Sequence, residues 1–331
     1  LHARNNNFGI LGTVIFYTTI AVIFGNNWNQ ESGYEAVSLI VVTLFLATSV
    51  ISVFRLRHVE SQFEQTTAQD DTKDTGVIKG LLALWKNNSW RNLIIGTSLF
   101  GIVGSLTGVF SIYLINYFWQ WLPNEFTLIL GLSIPGAMIA GLSANKLLKD
   151  KDKKRSVLVL TGLMITVGSS LTVLRIIDIK FQTNILPEVG LGVFSALFFL
   201  VAMHSAFMAG VRVINGILFS SMFSDVVEDH QNATNARSEG LIISVNGLSG
   251  KVLGGVGVLL SGLLLSLAGF GEEGSIEEKR EAVTNLAIFS TSLLYIIAPI
   301  SLYFISKYEI NKSVHEDNLT SLGYDTGKIE T

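Results

Sequence analysis

Two cationic residues lie inside long apolar stretches of this sequence. Lys251 lies eleven residues after Gly240 in a run that extends to residue 268, so it is about 16 Å along a helix. An ammonium group near the middle of a bilayer costs roughly 2.5–3.5 kcal/mol on insertion scales. Lys251 is therefore predicted to face a water-filled cavity or an anionic partner. Its depth disfavours the alternative, a side chain that extends to the membrane surface.

Glycines surround Lys251 at helical spacing. Gly247, Gly250, Gly254 and Gly255 share its part of the helix. Small residues allow neighbouring helices to approach closely, and they also leave room for a ligand beside the amine. Gly247 and Lys251 are therefore predicted to line a substrate cavity.

The second cation, Arg212, belongs to a polar stripe on an otherwise apolar run. At helical spacing it shares one arc of about 100° with His204, Ser205 and Asn215. The stripe fits two roles, which stay open: lining a cavity, or bracing helix ends through bonds from the arginine to carbonyls and a carboxylate. Arg212 and Asn215 are candidate cavity residues. His204 alone is more typical of packing than of proton transfer, because no second histidine lies within one turn.

The segment 225–239 is the densest group of charges. Asp225 and Glu228 are three residues apart on one helix face, and Arg237 and Glu239 begin the next helix. Opposite charges that meet across a short turn predict an ion network between the two helices. The alternative is charge that only solvates a loop. A metal site is a weaker hypothesis, because the histidine in this segment lacks the spacing of a ligand set.

The composition around these residues is that of an integral membrane protein. Of 331 residues, 49% are hydrophobic and 15% are charged, whereas globular domains carry about 25% charged residues. A net charge of −3 does not favour nucleic-acid binding, and the absence of cysteine excludes disulfides, zinc–thiolate sites and thiol catalysis. No phosphate loop, nucleophile elbow or zinc signature occurs. Neither an enzyme, a metal site nor a bound cofactor is predicted.

Eight apolar runs are long enough, or nearly so, to cross the hydrocarbon core as helices. The sequence lacks the ten-residue alternation of a membrane β-barrel, so the predicted fold class is an all-α membrane helix bundle. The run 189–223 is treated as one long helix, because no proline or turn cluster interrupts it. The runs are 8–24, 36–54, 93–115, 127–147, 157–174, 189–223, 240–268 and 283–305.

The loops between these runs alternate in their content of Lys and Arg. One side carries 17 of the 23 cations, and the other carries four. Those four are Arg175, Lys180, Lys279 and Arg280. By the positive-inside rule the richer side is cytoplasmic. The sequence therefore predicts a multi-pass protein of the cell membrane, with both ends of the chain in the cytoplasm.

A long polar stretch, 55–92, separates the first two runs from the other six and contains an amphipathic piece at 78–85. If two six-helix halves are joined by such a loop, four of twelve helices are expected before Leu1. The predicted units are the last two helices of an N-terminal bundle at 1–54, a central cytoplasmic loop at 55–92, a C-terminal six-helix bundle at 93–305 and a cytoplasmic tail at 306–331.

The stretch SDVVEDHQNATNARSEG, followed by a GK pair in the next run, resembles the glycoside–pentoside–hexuronide:cation symporters of the major facilitator superfamily, the melibiose permease-like family. In that family an Asp three residues before a second acid ends the tenth helix. An Arg-x-Glu opens the eleventh, and a Lys lies fourteen residues after that Arg. These positions match Asp225, Glu228, Arg237, Glu239 and Lys251. The resemblance extends to LWKNNSWRNLIIG before the seventh helix and covers most of the chain.

The resemblance implies a two-bundle transporter that binds a sugar or glycoside between the halves and couples its movement to Na⁺ or H⁺. It also implies that Lys251 helps to shape the substrate and cation region, and that Arg4 faces the substrate. The cation is expected to bind acids that precede Leu1, because each carboxylate in this chain lies in a loop or at the end of a run.

Two positions depart from the melibiose permease. Gly216 stands in place of a sugar-facing tryptophan and Gly247 in place of a threonine, which makes melibiose itself a doubtful substrate. Two alternatives stay open: a transporter of lysolipids or other amphiphiles from the same superfamily, and a membrane scaffold that transports nothing. The expected partners are a sugar or glycoside, the coupling cation and membrane lipid, with no nucleic acid.

Overall fold

The computed structural model describes residues 12, 16 and 19 and the ranges 22–24, 31–63, 77–149, 151–235, 238–271 and 274–323, with the backbone alone at 56–63 and 77. All regular structure within these residues is helical, which confirms the predicted all-α fold class. The helices are α1 Glu31–Phe63, α2 Val77–Lys86, α3 Asn88–Tyr113, α4 Pro123–Leu148, α5 Lys153–Phe181, α6 Ala196–Thr234, α7 Glu239–Leu267, α8 Ile276–Ser306 and α9 Lys312–Ser321.

Seven helical segments of the described chain are long and apolar enough to cross a membrane. A π-helix, Leu114–Phe118, continues α3 and completes the span Asn88–Phe118. The segments coincide with seven of the eight predicted runs. The remaining run, 8–24, lies mostly outside the described residues, as do Arg4 and Arg237.

Polar caps rather than apolar boundaries set where the helices begin. Asn87 Oδ1 accepts a hydrogen bond from Trp90 N at the start of α3, at 2.8 Å, and Asp152 Oδ1 accepts one from Arg155 N at the start of α5, at 2.7 Å. Such caps satisfy backbone N–H groups that have no partner within the helix. The helices therefore extend beyond the apolar runs, and α5 and α6 include two carboxylates, Asp178 and Asp225, that are buried near their ends.

The long run 189–223 forms a single continuous helix, α6, as expected. The helix begins later than the run, because Gly190, Gly192 and Phe194 adopt left-handed backbone conformations before the cap at Ser195. It continues past Asp225 to Thr234 and ends at Asn235, which is also left-handed. α6 therefore carries its acidic residues beyond its most apolar part.

Small residues permit the closest helix contacts. A side chain at Gly136 of α4 would collide with the backbone of Ala206 in α6. A Cβ at Gly257 of α7 would lie 2.5 Å from Ser105 Cβ of α3. The glycine content of the sequence thus serves close packing of α4 on α6 and of α7 on α3.

The two ends of the bundle differ in packing. The α6–α7 end is the end where α6 stops and α7 begins; it also holds the starts of α3 and α5 and the stop of α8. A large apolar cluster lies there, built from every one of these helices and from α2. Its most deeply buried members include Leu84, Leu93, Met222, Ile242, Ile305 and Tyr308. This cluster fixes the positions of the charged groups around it.

Candidate functional site

A cavity of about 620 Å³ lies among α3, α5, α6 and α8. Its volume falls within the range of small-molecule sites, about 300–1,000 Å³. Apolar side chains such as Phe100 and Leu294 form part of the wall, and hydroxyl and basic groups form the rest. The polar members are Thr107, Ser169, Thr172, His204, Ser205, Arg212, Ser290 and Thr291. The cavity therefore offers many hydrogen-bonding groups inside an apolar bundle.

The structure places three residues of the predicted polar stripe, His204, Ser205 and Arg212, in this cavity. His204 Nε2 lies 2.8 Å from the carbonyl oxygen of Val167, which ties the ring to α5. Arg212 keeps an exposed side chain. The stripe thus faces the space between helices.

Asn215, which the sequence analysis grouped with this stripe, lies elsewhere. It is 3% exposed, and its Nδ2 donates to Thr161 Oγ1 at 3.2 Å and to Met164 Sδ at 3.4 Å. Three residues after Arg212, it is turned by about 60° around the helix axis, which directs it against α5. Asn215 therefore braces α5 against α6 and does not line the cavity.

Lys251 also lies away from this cavity. Its side chain is exposed on α7, and a Cβ added at Gly247, Gly250 or Gly255 would meet open space. Gly254 has a different role, because its carbonyl oxygen accepts a hydrogen bond from Ser105 Oγ of α3 at 3.1 Å. The described helices therefore leave the surface of α7 around Lys251 uncovered, and they do not bring Lys251 to Arg212.

Asp225 is the centre of a charged cluster at the α6–α7 end. Its carboxylate is 4% exposed and accepts two hydrogen bonds from Lys153 Nζ, at 2.7 and 2.8 Å. The hydroxyl of Tyr308 donates to Asp225 Oδ2 at 3.3 Å and to the carbonyl of Met222 at 3.2 Å. Burial raises the pKa of Tyr308, so the phenol stays neutral and remains a donor. Asp225 is therefore held by α5 and by the residues after α8.

His315 of α9 joins this cluster. Its Nδ1 lies 3.0 Å from Glu228 Oε2 and 3.5 Å from Asp225 Oδ1. The interaction with Glu228 raises the pKa of His315, burial opposes that effect, and the nearby Asp225 carboxylate adds to it. The two acids thus stabilise the protonated form of His315 relative to the neutral form, and they would attract its positive charge.

Sequence reasoning identified the acids of this cluster but not these partners. Arg237 lies outside the described residues, so its predicted contact with Asp225 and Glu228 stays a prediction. Lys153 is one of the 17 cations of the richer side, which the sequence connects only with membrane topology, and His315 is 90 residues from Asp225 along the chain. The periodicity of one helix carries no information about such distant partners. The one feature that Lys153 and His315 share in the sequence is a position near the start of a helix on the cation-rich side.

The donor atoms of Asp225, Glu228 and His315 lie within 4.8 Å of one another, which is a spacing compatible with a metal ion. The ammonium of Lys153 is already 2.7 Å from Asp225 Oδ1. It supplies the positive charge that a cation would bring. The arrangement is therefore complete as an ion cluster.

A second polar set fixes α9 to the same end. Asp229 accepts hydrogen bonds from Asn87 Nδ2 at 2.6 Å and from Asn318 Nδ2 at 3.2 Å. Asn318 Oδ1 accepts from Asn232 Nδ2 at 2.9 Å, and the backbone N–H of Glu309 donates to Ser89 Oγ at 3.1 Å. The segment after α8 therefore lies across the ends of α3 and α6.

Beside this cluster, α6 and α7 enclose a cavity of about 480 Å³. Glu228 and Glu239 both line it, together with Gln231 and Asn246. The two predicted acids thus lie on opposite walls of one opening between α6 and α7.

Apolar helices long enough to cross a membrane, packed around a partly polar cavity of small-molecule size, are typical of membrane transport proteins. The family model described as MFS/sugar transport protein matches residues 3–312, and the chain belongs to that family. No curated relative with a significant match was found. The chain is accordingly a multi-pass member of a membrane transport family, and membership of that family implies a small-molecule substrate.

Proposed function

We propose that this protein is a secondary active transporter that couples the movement of a sugar or glycoside to Na⁺ or H⁺ by alternating access. The cavity among α3, α5, α6 and α8 is the observation that carries the proposal. Hydroxyl-bearing substrates need several donors and acceptors at once, and the cavity offers hydroxyl, imidazole and guanidinium groups beside apolar walls. Family membership supports a sugar as the substrate class.

Arg212 is the strongest hydrogen-bond donor in this cavity. A guanidinium has five N–H donors in a fixed geometry and stays charged at all physiological pH values. Hydrogen bonds to charged groups contribute about 1.5–3 kcal/mol each. On this proposal Arg212 binds substrate oxygen atoms, while Ser205 and His204 on the preceding turns discriminate the arrangement of the hydroxyls.

Lys251 has a separate place in the proposal. Its uncovered surface on α7 is the side on which a second helix bundle would complete the substrate pathway. We expect Lys251 to face that pathway together with Arg4, with the coupling cation bound to acids outside the described helices. The orientation, with both ends of the chain in the cytoplasm, follows from the distribution of Lys and Arg.

The Asp225 cluster is proposed to set the balance between the two access states. It lies at the cation-rich end and joins α6 to α5 and α9. Opening that end towards the cytoplasm would move α6 and α7 away from the elements, α5 and α9, that hold this end closed. A partly buried network can shift an equilibrium between states that differ by a few kcal/mol. Arg237, the predicted member of this network that precedes α7 in the sequence, would close the same network.

Equilibrium binding tests the substrate site. Arg212→Gln should weaken binding of the transported sugar by roughly 10–100-fold, as expected for the loss of a charged donor. Arg155→Gln is the matched control, because it removes the same charge from an exposed position outside the cavity. Both variants are measured by isothermal titration in detergent, with a panel of glycosides, pentoses and hexuronates. Equal affinities of the two variants would refute the assignment of this cavity as the substrate site.

A further inference from the structure

The opposite end of the bundle, where α5 stops and α6 begins, carries few cations, and they are concentrated in one place. Three of the four cations that the loops place on this side, Arg175, Lys180 and Arg280, line a single cavity of about 360 Å³. The fourth, Lys279, does not line it. Tyr117, Phe118 and Gln120 of the π-helix and the residues after it form another wall. The cavity shares no lining residue with the cavity that contains Arg212.

The positive charge in this cavity is only partly neutralised by the described residues. No described carboxylate lies within 4.0 Å of the guanidinium group of Arg175 or Arg280. Glu281 is the single acid among the lining residues. Three cations and one carboxylate therefore leave an excess of two positive charges.

Asp178 is the acid closest to Arg175 in sequence, but it is engaged elsewhere. Its Oδ1 accepts hydrogen bonds from Thr183 Oγ1 at 2.7 Å and from Ile185 N at 2.8 Å. Its Oδ2 accepts one from Leu186 N at 2.9 Å. These bonds hold the turn that follows α5. Asp178 forms no ion pair with Arg175.

Both arginines have guanidinium N–H groups that can still donate hydrogen bonds. The Nε atom of Arg175 is buried and has no hydrogen-bond partner. Arg280 donates one side-chain hydrogen bond, from Nη2 to Gln120 Oε1 at 3.1 Å. A buried donor without a partner destabilises the protein, and an anion bound between the arginines would accept a hydrogen bond from it.

We propose that this cavity binds an oxyanion group, a phosphate, sulfate or carboxylate, between Arg175 and Arg280 with Lys180 at its entrance. Planar guanidinium groups match the paired oxygens of such anions. The group belongs either to a soluble anion or to the headgroup of an acidic phospholipid. The exposed apolar side chains of Ile179 and Phe181 beside Lys180 are compatible with a lipid at the rim. The proposal is independent of the sugar site.

Thermal unfolding of the purified protein in phosphatidylcholine nanodiscs tests the soluble anion. Sodium phosphate is titrated against sodium chloride at equal ionic strength, because a ligand that binds the folded state raises the unfolding temperature. The native sequence should show a saturable, phosphate-specific rise. Arg280→Gln should weaken the apparent phosphate affinity about tenfold or more. Lys279→Gln, which removes the neighbouring charge outside the cavity, should behave like the native sequence.

Native mass spectrometry tests the lipid source. Protein extracted from membranes that contain phosphatidylglycerol should retain a bound acidic lipid in the native sequence and in Lys279→Gln, but not in Arg280→Gln. Phosphate stabilisation without lipid retention would assign the site to a soluble anion, and the reverse result would assign it to a headgroup. Arg280→Gln is the primary variant because its side chain is exposed, so its loss spares the fold; Arg175→Gln provides the second. If Arg280→Gln and Lys279→Gln agree in both measurements, the proposal is wrong.

Discussion

Exchanging Lys153 for Gln should destabilise the protein more than exchanging its ion-pair partner, Asp225, for Asn. The pair is asymmetric: the side chain of Asp225 is 4% exposed and that of Lys153 is 32% exposed. Without Lys153, a buried carboxylate loses its closest counter-charge and keeps Tyr308 and His315 as weaker partners. Without the Asp225 carboxylate, the ammonium of Lys153 can still reach water.

The magnitudes follow from this difference in burial. Removing one partner of a buried ion pair costs about 3–5 kcal/mol when the remaining charge stays buried. The partners that Asp225 retains place Lys153→Gln at the lower limit, about 3 kcal/mol, or roughly 100-fold in the unfolding equilibrium. Exposed ion pairs contribute about 0–1 kcal/mol. Asp225→Asn is therefore expected to cost about 1–2 kcal/mol, since the remaining charge is partly hydrated.

Titration with sodium dodecyl sulfate, followed by tryptophan fluorescence in mild detergent micelles, measures these differences. Lys154→Gln is the matched control, because it removes the same charge one residue later, where no described carboxylate forms an ion pair with it. The double variant of Lys153→Gln with Asp225→Asn should be more stable than Lys153→Gln alone, since it no longer buries an uncompensated charge. Equal destabilisation by Lys153→Gln and Lys154→Gln, or a double variant that is simply additive, would refute the reasoning.

Two further predictions concern α9 and the contact between α4 and α6. Glu228 and Asp225 raise the pKa of His315 above its ordinary value, although burial and Lys153 oppose them. The contribution of His315 to stability should therefore be complete below the unfolded-state pKa of about 6.5 and be lost as the pH rises through the folded-state pKa. His315→Gln should abolish this pH dependence of the unfolding temperature, and a variant that keeps the dependence would place the titrating group elsewhere. Gly136→Leu should disrupt the packing of α4 on α6, because the backbone of Ala206 leaves no room for a side chain, and it should strongly lower expression and the unfolding temperature. Gly131→Leu, on the same helix, has open space around the new side chain and should lower neither. Similar losses in both variants would contradict the assigned contact.

Seven of the eight predicted spans, their helical type and the common face of Asp225 and Glu228 could be predicted because each depends on local pattern. Apolar runs indicate membrane-spanning helices directly, since a helix in the hydrocarbon core must pair all its backbone N–H and C=O groups within itself. Asp225 and Glu228 lie three residues apart, so their common face follows from helical geometry. Such patterns describe one element at a time.

The remaining features depend on how elements meet in space. Asn215 shares a helix with Arg212, but the position of α5 decides that its amide binds Thr161 rather than facing the cavity. Lys153 and His315 reach Asp225 through contacts between helices far apart in the chain. The cluster of Arg175, Lys180 and Arg280 likewise forms only when the stop of α5 and the start of α8 meet. The charges in the loops show how many cations lie on this side of the membrane, but they do not show that three of them line one cavity.

Uptake into proteoliposomes most directly tests the central claim that the protein couples sugar movement to a cation gradient. Vesicles that contain the purified protein are supplied with radiolabelled glycosides, pentoses or hexuronates, with an inward Na⁺ or H⁺ gradient or with neither. We expect at least one sugar to accumulate above its external concentration with one of these gradients, and an ionophore to abolish the accumulation. Arg212→Gln should reduce the accumulation, whereas Arg155→Gln should not. Equilibration of sugar at the same rate without any gradient, or transfer of lysolipid in place of every sugar, would contradict the central claim.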